Sequence, residues 1–378
     1  MTEQKTIFIC AGDVSGDIHA AHLVQALKEL APTLRVAAIG GIHLKACADE
    51  FMADLASQGI TGFVEPIKKI PLLWRLSKQV QHFFHTRKPA AFIAVDFYGF
   101  NHQLLKIAER ENIPAYYYVT PQVWASRRYR AKELARLTKK MYVIYPFEPR
   151  FHKKRGGNAV FLGNPLLDNM PAPQPKNYDI QDPKNYSWKL GLLPGSRQNE
   201  ITRLLPIFYQ TFKEVCKDYP NTHAYLFLLP DANENDCIKL LGEQPPANFH
   251  FVKETDYKLR GQMDFLLACS GTATLENALL GIPMLVAYKM FFPTYLVARC
   301  VIRVKYISLV NILANQTLVT EWIQQNVTVK NCAMETKMFF AHPHLLANMH
   351  RALLTLRADL GEPGVAKRAA ADILGELK

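Results

Sequence analysis

Two stretches in the second half of the chain carry side chains of the types that suit phosphate. In LGLLPGSRQNEITRLLP (190–206), an apolar run ends in Pro194-Gly195-Ser196-Arg197 and an amphipathic run follows. This pattern predicts a strand over 190–193, a turn at 194–195, Ser196 as N-cap and a helix over 200–219. Arg197 then lies in the first turn, where the helix dipole favours an acid. A bound anion would account for a cation there, with phosphate held jointly by N–H groups and a guanidinium. In FLLACSGTATLENALLGIP (265–283), Ser270, Gly271, Thr272 and Thr274 stand at a second such junction, with Glu276 one turn further on. Hydroxyls and N–H groups cradle phosphate, whereas a carboxylate repels it and suits ribose hydroxyls. Together the two junctions predict a diphosphate with a sugar at its side, that is, a nucleotide-sugar site.

The first half offers carboxylates instead. AGDVSGDIHA (11–20) places Gly12 and Gly16 at a tight strand-to-helix turn, with Ser15 and Asp17 as capping residues. Gly-x-x-x-Gly is not the dinucleotide fingerprint, and no acid closes the second strand, so a dehydrogenase reading weakens and a plain capped turn stays open. Asp96 ends the run AAFIAVD. A carboxylate at a buried strand tip is costly unless bonded or used, so it is either a general base facing a cleft or the cap of a helix starting near Asn101. YYYVTPQVWASRRYR (116–130) presents a Thr-Pro turn, an exposed Trp124 and Arg127, Arg128 and Arg130. They suit an anion held against an apolar surface, or simply a solvated basic helix face. No Asp-x-Asp triplet is present, and the pairs His19/His22 and His342/His344 lack convincing partner ligands, so no metal and no cofactor is expected. Arg197 and helix dipoles must then stabilise a leaving diphosphate.

Between 64 and 88, VEPIKKIPLLWRLSKQVQHFFHTRK has the composition of an interfacial helix on anionic lipid, or of a crossover helix with one core face and one basic face. Leu72, Leu73 and Trp74 in succession cannot all enter one core, which leaves Ile70, Leu72, Leu73, Trp74, Arg75 and Leu76 as the expected membrane contact. From 277 to 320 there is no acid, while Lys289, Arg299, Arg303 and Lys305 lie among aromatic and aliphatic residues. That reads as a basic, apolar wall for acyl chains or an anionic headgroup.

The elements that must position these groups follow from alternation. Apolar, β-branched runs at 6–10, 35–40, 90–96, 114–120, 141–146 and 159–165 alternate with helical patterns, and the same grammar resumes at 189–194, 223–230, 249–252, 265–271 and 283–288. Such alternation predicts an α/β protein with two Rossmann-like, doubly wound parallel-sheet domains facing a cleft. The length of 378 residues suits two domains. The expected division is 1–168 as acceptor and membrane-contact domain, 169–186 as a proline-rich linker and 187–340 as nucleotide-sugar domain. Residues 341–378 would be helices that complete the second domain or pack back on the first.

Lys plus Arg number 45 against 33 Asp plus Glu, a net charge of +12. No basic block or aromatic-interleaved signature accompanies it, so nucleic acid is a poor partner and a phosphorylated lipid or anionic membrane a better one. Seven scattered cysteines without a Cys-x-x-Cys pair fit a reduced compartment, and no apolar run has the length of a signal peptide or a membrane span. A cytoplasmic protein is expected.

With these residues in view, the chain resembles the lipid A disaccharide synthase family, metal-independent bacterial glycosyltransferases of the two-Rossmann GT-B type. SGD (15–17), Asp96 with Asn101, VWA (123–125), PFE (146–148), GNPLLD (163–168), LPGSR (193–197), SGTATLE (270–276), KYISLVNILA (305–314) and LVTEWIQ (318–324) look like that family's motifs in its order. Departures fall at Asp13, Gly99, Ser126, Asn164 and Val310, and at Glu234 and Asn235. The resemblance implies inverting transfer of 2,3-diacylglucosamine from UDP-2,3-diacylglucosamine to 2,3-diacylglucosamine 1-phosphate, at the cytoplasmic face of the inner membrane. It implies Asp96 as base, aided by Ser15 and Asp17. Ser196, Arg197, Ser270, Gly271, Thr272 and Thr274 would hold the diphosphate and Glu276 the ribose, with Asn311, Glu321 and Gln324 lining the cleft. A UDP-sugar 2-epimerase of the same architecture and a non-catalytic, membrane-associated nucleotide-sugar binder are the rival readings; a homo-oligomer is left open.

Overall fold

The computed structural model describes residues 4–58, 70–253, 257–291 and 305–377. Two compact units result, one from 1–168 with 360–378 and the other from 169–359.

In the first unit the elements run β1 (Thr6–Ala11), α1 (Val14–Leu30), β2 (Arg35–Gly40), α2 (Ile42–Cys47), β3 (Glu50–Asp54), α3 (Ile70–Arg87), β4 (Ala91–Val95), α4 (Tyr98–Arg110), β5 (Ala115–Tyr118), α5 (Arg130–Leu137), β6 (Lys140–Val143), α6 (Glu148–Lys153) and β7 (Ala159–Phe161). The sheet order is β3-β2-β1-β4-β5-β6-β7, with parallel pairing such as Ile9 opposite Ile93. Period-two alternation sends Phe8 and Cys10 into one core layer and Ile7, Ile9 and Ala11 into the other. Both faces are covered, as a parallel sheet requires.

The second unit runs β8 (Lys189–Leu193), α7 (Gln198–Cys216), β9 (His223–Phe227), α8 (Glu234–Leu241), β10 (Phe249–Val252), β11 (Phe265–Cys269), α9 (Thr272–Leu279), β12 (Met284–Tyr288), α10 (Leu309–Ala314), β13 (Thr320–Ile323), α11 (Val329–Ala341) and α12 (Pro343–Asp359). Its order, β10-β9-β8-β11-β12-β13, repeats that of the first sheet up to β6. Each sheet therefore reverses its winding once, between β1 and β4 and between β8 and β11, where open α/β sheets bind ligands.

Residues 169–186 do more than join the units. Gln174 and Lys176 donate to the carbonyls of Lys258 and Met263, each at 2.8 Å, and Tyr178 is buried edge-on to His350. The terminal helices divide: α12 lies in the second unit, while α13 (Val365–Glu376) belongs to the first. Its Ala366, Ala369, Ala370 and Ile373, at helical spacing, complete the layer formed by Ile7, Ile9 and α1. The Asp168 carboxylate caps it, accepting from the N–H groups of Gly364, Val365 and Ala366 at 2.7–3.0 Å. Gly361 (φ +93°) precedes this helix where a Cβ would lie 3.1 Å from the Cα of Gly163.

Among the described residues no helix is long and apolar enough to cross a membrane. In α3, Leu76 lies in the core and Leu72 and Leu73 pack against it, so these three are not free surface. Ile70 and Trp74, one turn apart and 57% and 63% exposed, stand outward with Arg75 and Lys78, whose ammonium lies 5.8 Å from the Trp74 ring centre. Residues 64–69 and the basic stretch around Arg299 and Arg303 lie outside the described residues.

Candidate active site

At the reversal of the second sheet, the ends of β8, β9 and β11 enclose a pocket of about 350 Å³ lined by Gly195, Ser196, Arg197, Glu200, Phe227, Leu228, Arg260, Ser270, Gly271, Thr272 and Glu276. The helix start differs from expectation. Arg197, not Ser196, is the N-cap of α7. Glu200, three residues on, accepts from the backbone N–H groups of Ser196 (3.2 Å) and Arg197 (3.3 Å), and lies 3.5 Å from the Arg197 guanidinium. A carboxylate from the chain itself thus answers the dipole. Gly195 (φ +113°) makes room, since a Cβ there would lie 2.5 Å from the Glu200 carboxylate. The Arg197 side chain remains 76% exposed on the pocket rim.

Across the pocket, Ser270, Gly271 and Thr272 form the open start of α9, with unfilled space above Gly271. Thr274 departs from expectation: it is fully buried, and its hydroxyl donates to the Gly271 carbonyl at 2.7 Å, holding the turn rather than a ligand. Glu276 accepts from Arg260 at 3.0 Å, both side chains being more than four-fifths buried. The Arg260 guanidinium also lies 5.4 Å from the Phe227 ring centre. Sequence reasoning missed Arg260, because it sits in a short turn (Arg260–Gln262) outside any strand-end motif.

Asn311 and Glu321 are likewise structural. The Asn311 amide donates to the Val319 carbonyl and to Glu321, both at 2.8 Å, and its oxygen accepts from the N–H groups of Leu318 and Val319. Glu321 further accepts from the N–H groups of Ile307 and Ser308. Every bonding position of the Asn311 side chain is used within the chain, which leaves none for a sugar. Gln324 follows β13: its oxygen accepts from the Met290 N–H at 3.0 Å, while its buried Nε2 has no partner among the described residues.

The first sheet brings carboxylates to its reversal. Asp13, rather than Ser15 or Asp17, caps α1, its Oδ1 accepting from the Gly16 N–H at 2.6 Å. Ser15 is exposed in the first turn. Asp17 is buried and accepts from the N–H groups of Gly41 (2.6 Å), His43 (2.9 Å) and Leu44 (3.1 Å), so it caps α2.

Asp96 stands at the tip of β4 beside Asp13. Asp96 and Phe97 both have positive φ, +45° and +38°, a strained pair of non-glycine residues. The Asp96 carbonyl is held by the Tyr117 hydroxyl at 2.6 Å and the Asn101 amide at 3.0 Å, and the same amide reaches the carbonyls of Cys10 and Val95. Asn101, in the first turn of α4, is therefore a clamp on two strand ends. Burial, reinforced by the Asp13 charge, pushes the Asp96 carboxyl up to about 7, against the Phe97 N–H that stabilises its ionised form. Asp13 is raised as well, mainly by burial. A carboxylate poised near neutrality is suited to general-base work.

Trp124 is buried, not exposed. Its indole N–H donates to Glu148 at 3.0 Å, and Glu148 also accepts from the N–H groups of Ile144 and Tyr145.

Two Rossmann-type sheets of identical winding, with a phosphate-ready pocket on one and a near-neutral carboxylate on the other, define the GT-B class of nucleotide-sugar proteins. In keeping with this, the fold resembles a solved structure titled as a UDP-N-acetylglucosamine 2-epimerase from Listeria monocytogenes, with a TM-score of 0.65 at 12% identity over 99% of this chain and 96% of that one. MurG of Acinetobacter baumannii superposes with a TM-score of 0.61 at 14% identity, over 98% and 99%. The sequence goes further: residues 7–367 match the model of the lipid-A-disaccharide synthetase family, and the chain belongs to that family. The lipid-A-disaccharide synthase of Syntrophus aciditrophicus is 34% identical over 99% of this chain and 98% of its own length.

Proposed function

We propose that the chain transfers 2,3-diacylglucosamine from UDP-2,3-diacylglucosamine to the 6-hydroxyl of 2,3-diacylglucosamine 1-phosphate, giving the β-1,6 disaccharide and UDP. The observation that carries this is the family match over both sheet reversals at once. Asp96 takes the proton of the acceptor hydroxyl. The oxygen attacks the anomeric carbon from the face opposite the diphosphate, and UDP departs with the electron pair of the broken C–O bond, inverting the centre. Arg197 swings onto the diphosphate, and Ser196, Ser270, Gly271 and Thr272 bind it through hydroxyl and N–H groups. Glu276, oriented by Arg260, accepts from the ribose. Gln324 offers its unpartnered amide to the donor sugar.

Ile70 and Trp74 of α3, flanked by Arg75 and Lys78, rest on the anionic cytoplasmic face of the inner membrane, from which both lipids are drawn. Mass spectrometry of the products from the pure protein with both lipids tests the reading: a disaccharide 1-phosphate plus UDP is expected. Epimerised UDP-sugar, or UDP binding without any product, would replace it by one of the rivals.

A further inference from the structure

The basic cluster after β5 remains unused by this mechanism. Arg127, Arg128 and Arg130 form no ion pair with a carboxylate among the described residues, whereas nearby cations do: Arg136 pairs with Glu109, and Lys106 with Glu133 at 3.1 Å. Glu133, three residues beyond Arg130, is engaged by His102 at 2.9 Å as well. Arg128 is partly occupied, donating to the Trp124 carbonyl at 3.0 Å.

Arg130 lies 4.2 Å from the ring centre of Tyr98, which is itself stacked on His102 at 4.9 Å and 13°. Stacking uses the face of a guanidinium and leaves its N–H edge free to donate. Arg127 stands in the turn that leads into α5, its carbonyl accepting from the Arg130 N–H at 3.0 Å, and its side chain is exposed. Tyr98 is two residues from Asp96 and opens α4, and next to it Gly99 leaves open space. Two guanidinium groups without a carboxylate partner among the described residues, and the phenol on which one of them lies, thus stand in the turn after β5 and at the start of α4, two residues along the chain from Asp96.

We propose that Arg127, Arg130 and the Tyr98 hydroxyl form a subsite for a phosphate monoester, the 1-phosphate of the acceptor, which turns the acceptor's 6-hydroxyl toward Asp96. This rests on the reaction proposed above. The planar fork of Arg130 matches two phosphate oxygens, and an exposed Arg127 supplies the second charge of a dianion.

The test is run in neutral detergent micelles free of anionic lipid, comparing the acceptor with the same diacylglucosamine lacking its phosphate. The wild-type protein should prefer the phosphorylated acceptor. R130Q and R127A/R130Q should raise the KM for that acceptor roughly ten- to a hundredfold, the loss expected of a charged hydrogen bond. The donor KM should not move, and the preference for phosphate should collapse. R130K should recover part of it, while R136Q, changing an ion-paired arginine of the same helix, should behave as wild type. Should R130Q fail to fold, R127A alone carries the test, because Arg127 is exposed.

Variants that keep the wild-type preference overturn the subsite and leave the reaction standing. A wild-type protein that makes no disaccharide from either acceptor overturns both. Flotation with phosphatidylglycerol vesicles separates the two sources of phosphate: equal binding by variant and wild type is expected. Lost binding with an intact acceptor preference would assign the arginines to the bilayer and overturn the proposal.

Discussion

The two sheets share one winding order, yet their reversals are furnished with opposite charge. Between β1 and β4 stand Asp13 and Asp96, buried enough that neither ionises readily, with the Asp13 charge adding to the effect at Asp96. Between β8 and β11 stand Arg197 and Arg260 with an open helix start. The lesson is that the topology supplies a place where backbone ends converge and helices begin, and the side chains decide what it does. The first reversal stores a proton-accepting group by burying it beside a like charge. The second keeps its main cation on a long, exposed arm.

This contrast can be broken from either side. The largest effect is expected for Asp96→Asn, which keeps size and tolerates positive φ: kcat should fall roughly 10²–10⁴-fold, the usual worth of a general base, while calorimetry finds UDP affinity unchanged. If UDP affinity falls with kcat, the reversals are not functionally separate. Arg197→Ala should do the opposite, weakening UDP binding about ten- to a hundredfold with an unaltered melting temperature, because its contacts with the protein are long and solvated.

A finer cut concerns pH. Asp96 must be ionised to act and its pKa is raised, so kcat/KM should climb as pH rises through about 7 and be lost below. Asp13→Asn keeps the cap acceptor but removes the like charge, and should move that acid limb to lower pH; an unmoved limb would assign the shift to burial alone. The smallest effect is expected for Thr274→Val, which should cost about 1 kcal/mol of stability in a denaturant titration and leave UDP affinity within about twofold. A large loss of UDP affinity would return Thr274 to the pocket.

The central strands were legible in the sequence because they are buried on both sides and read as continuous apolar runs, such as TIFIC and FLLAC. The strands EFMAD (β3) and TEWI (β13) were not: both lie at sheet edges, half-buried, with charged residues among the apolar ones. At the site, Asp96, Arg197 and the SGT turn could be found since they end such runs. The bonding of Asp17, Asn311 and Glu321 within the chain was not legible because their partners are largely backbone N–H and carbonyl groups, some more than twenty residues away, which leave no mark on composition. Arg260 is the converse, a pocket residue whose only signal is its distance from Glu276 in space. Leu76 was misplaced outside because helical period alone does not fix which face of α3 meets the sheet.

The capping of α13 by Asp168 bears on how the chain is made. A core layer beneath β1 is closed by Ala369 and Ile373, which leave a ribosome only after the entire second unit. The leading unit must wait with an apolar flank uncovered, so the order of maturation runs against the order of synthesis. Nascent chains stalled before residue 360 should hold a protease-resistant second unit and a first unit still open to cleavage.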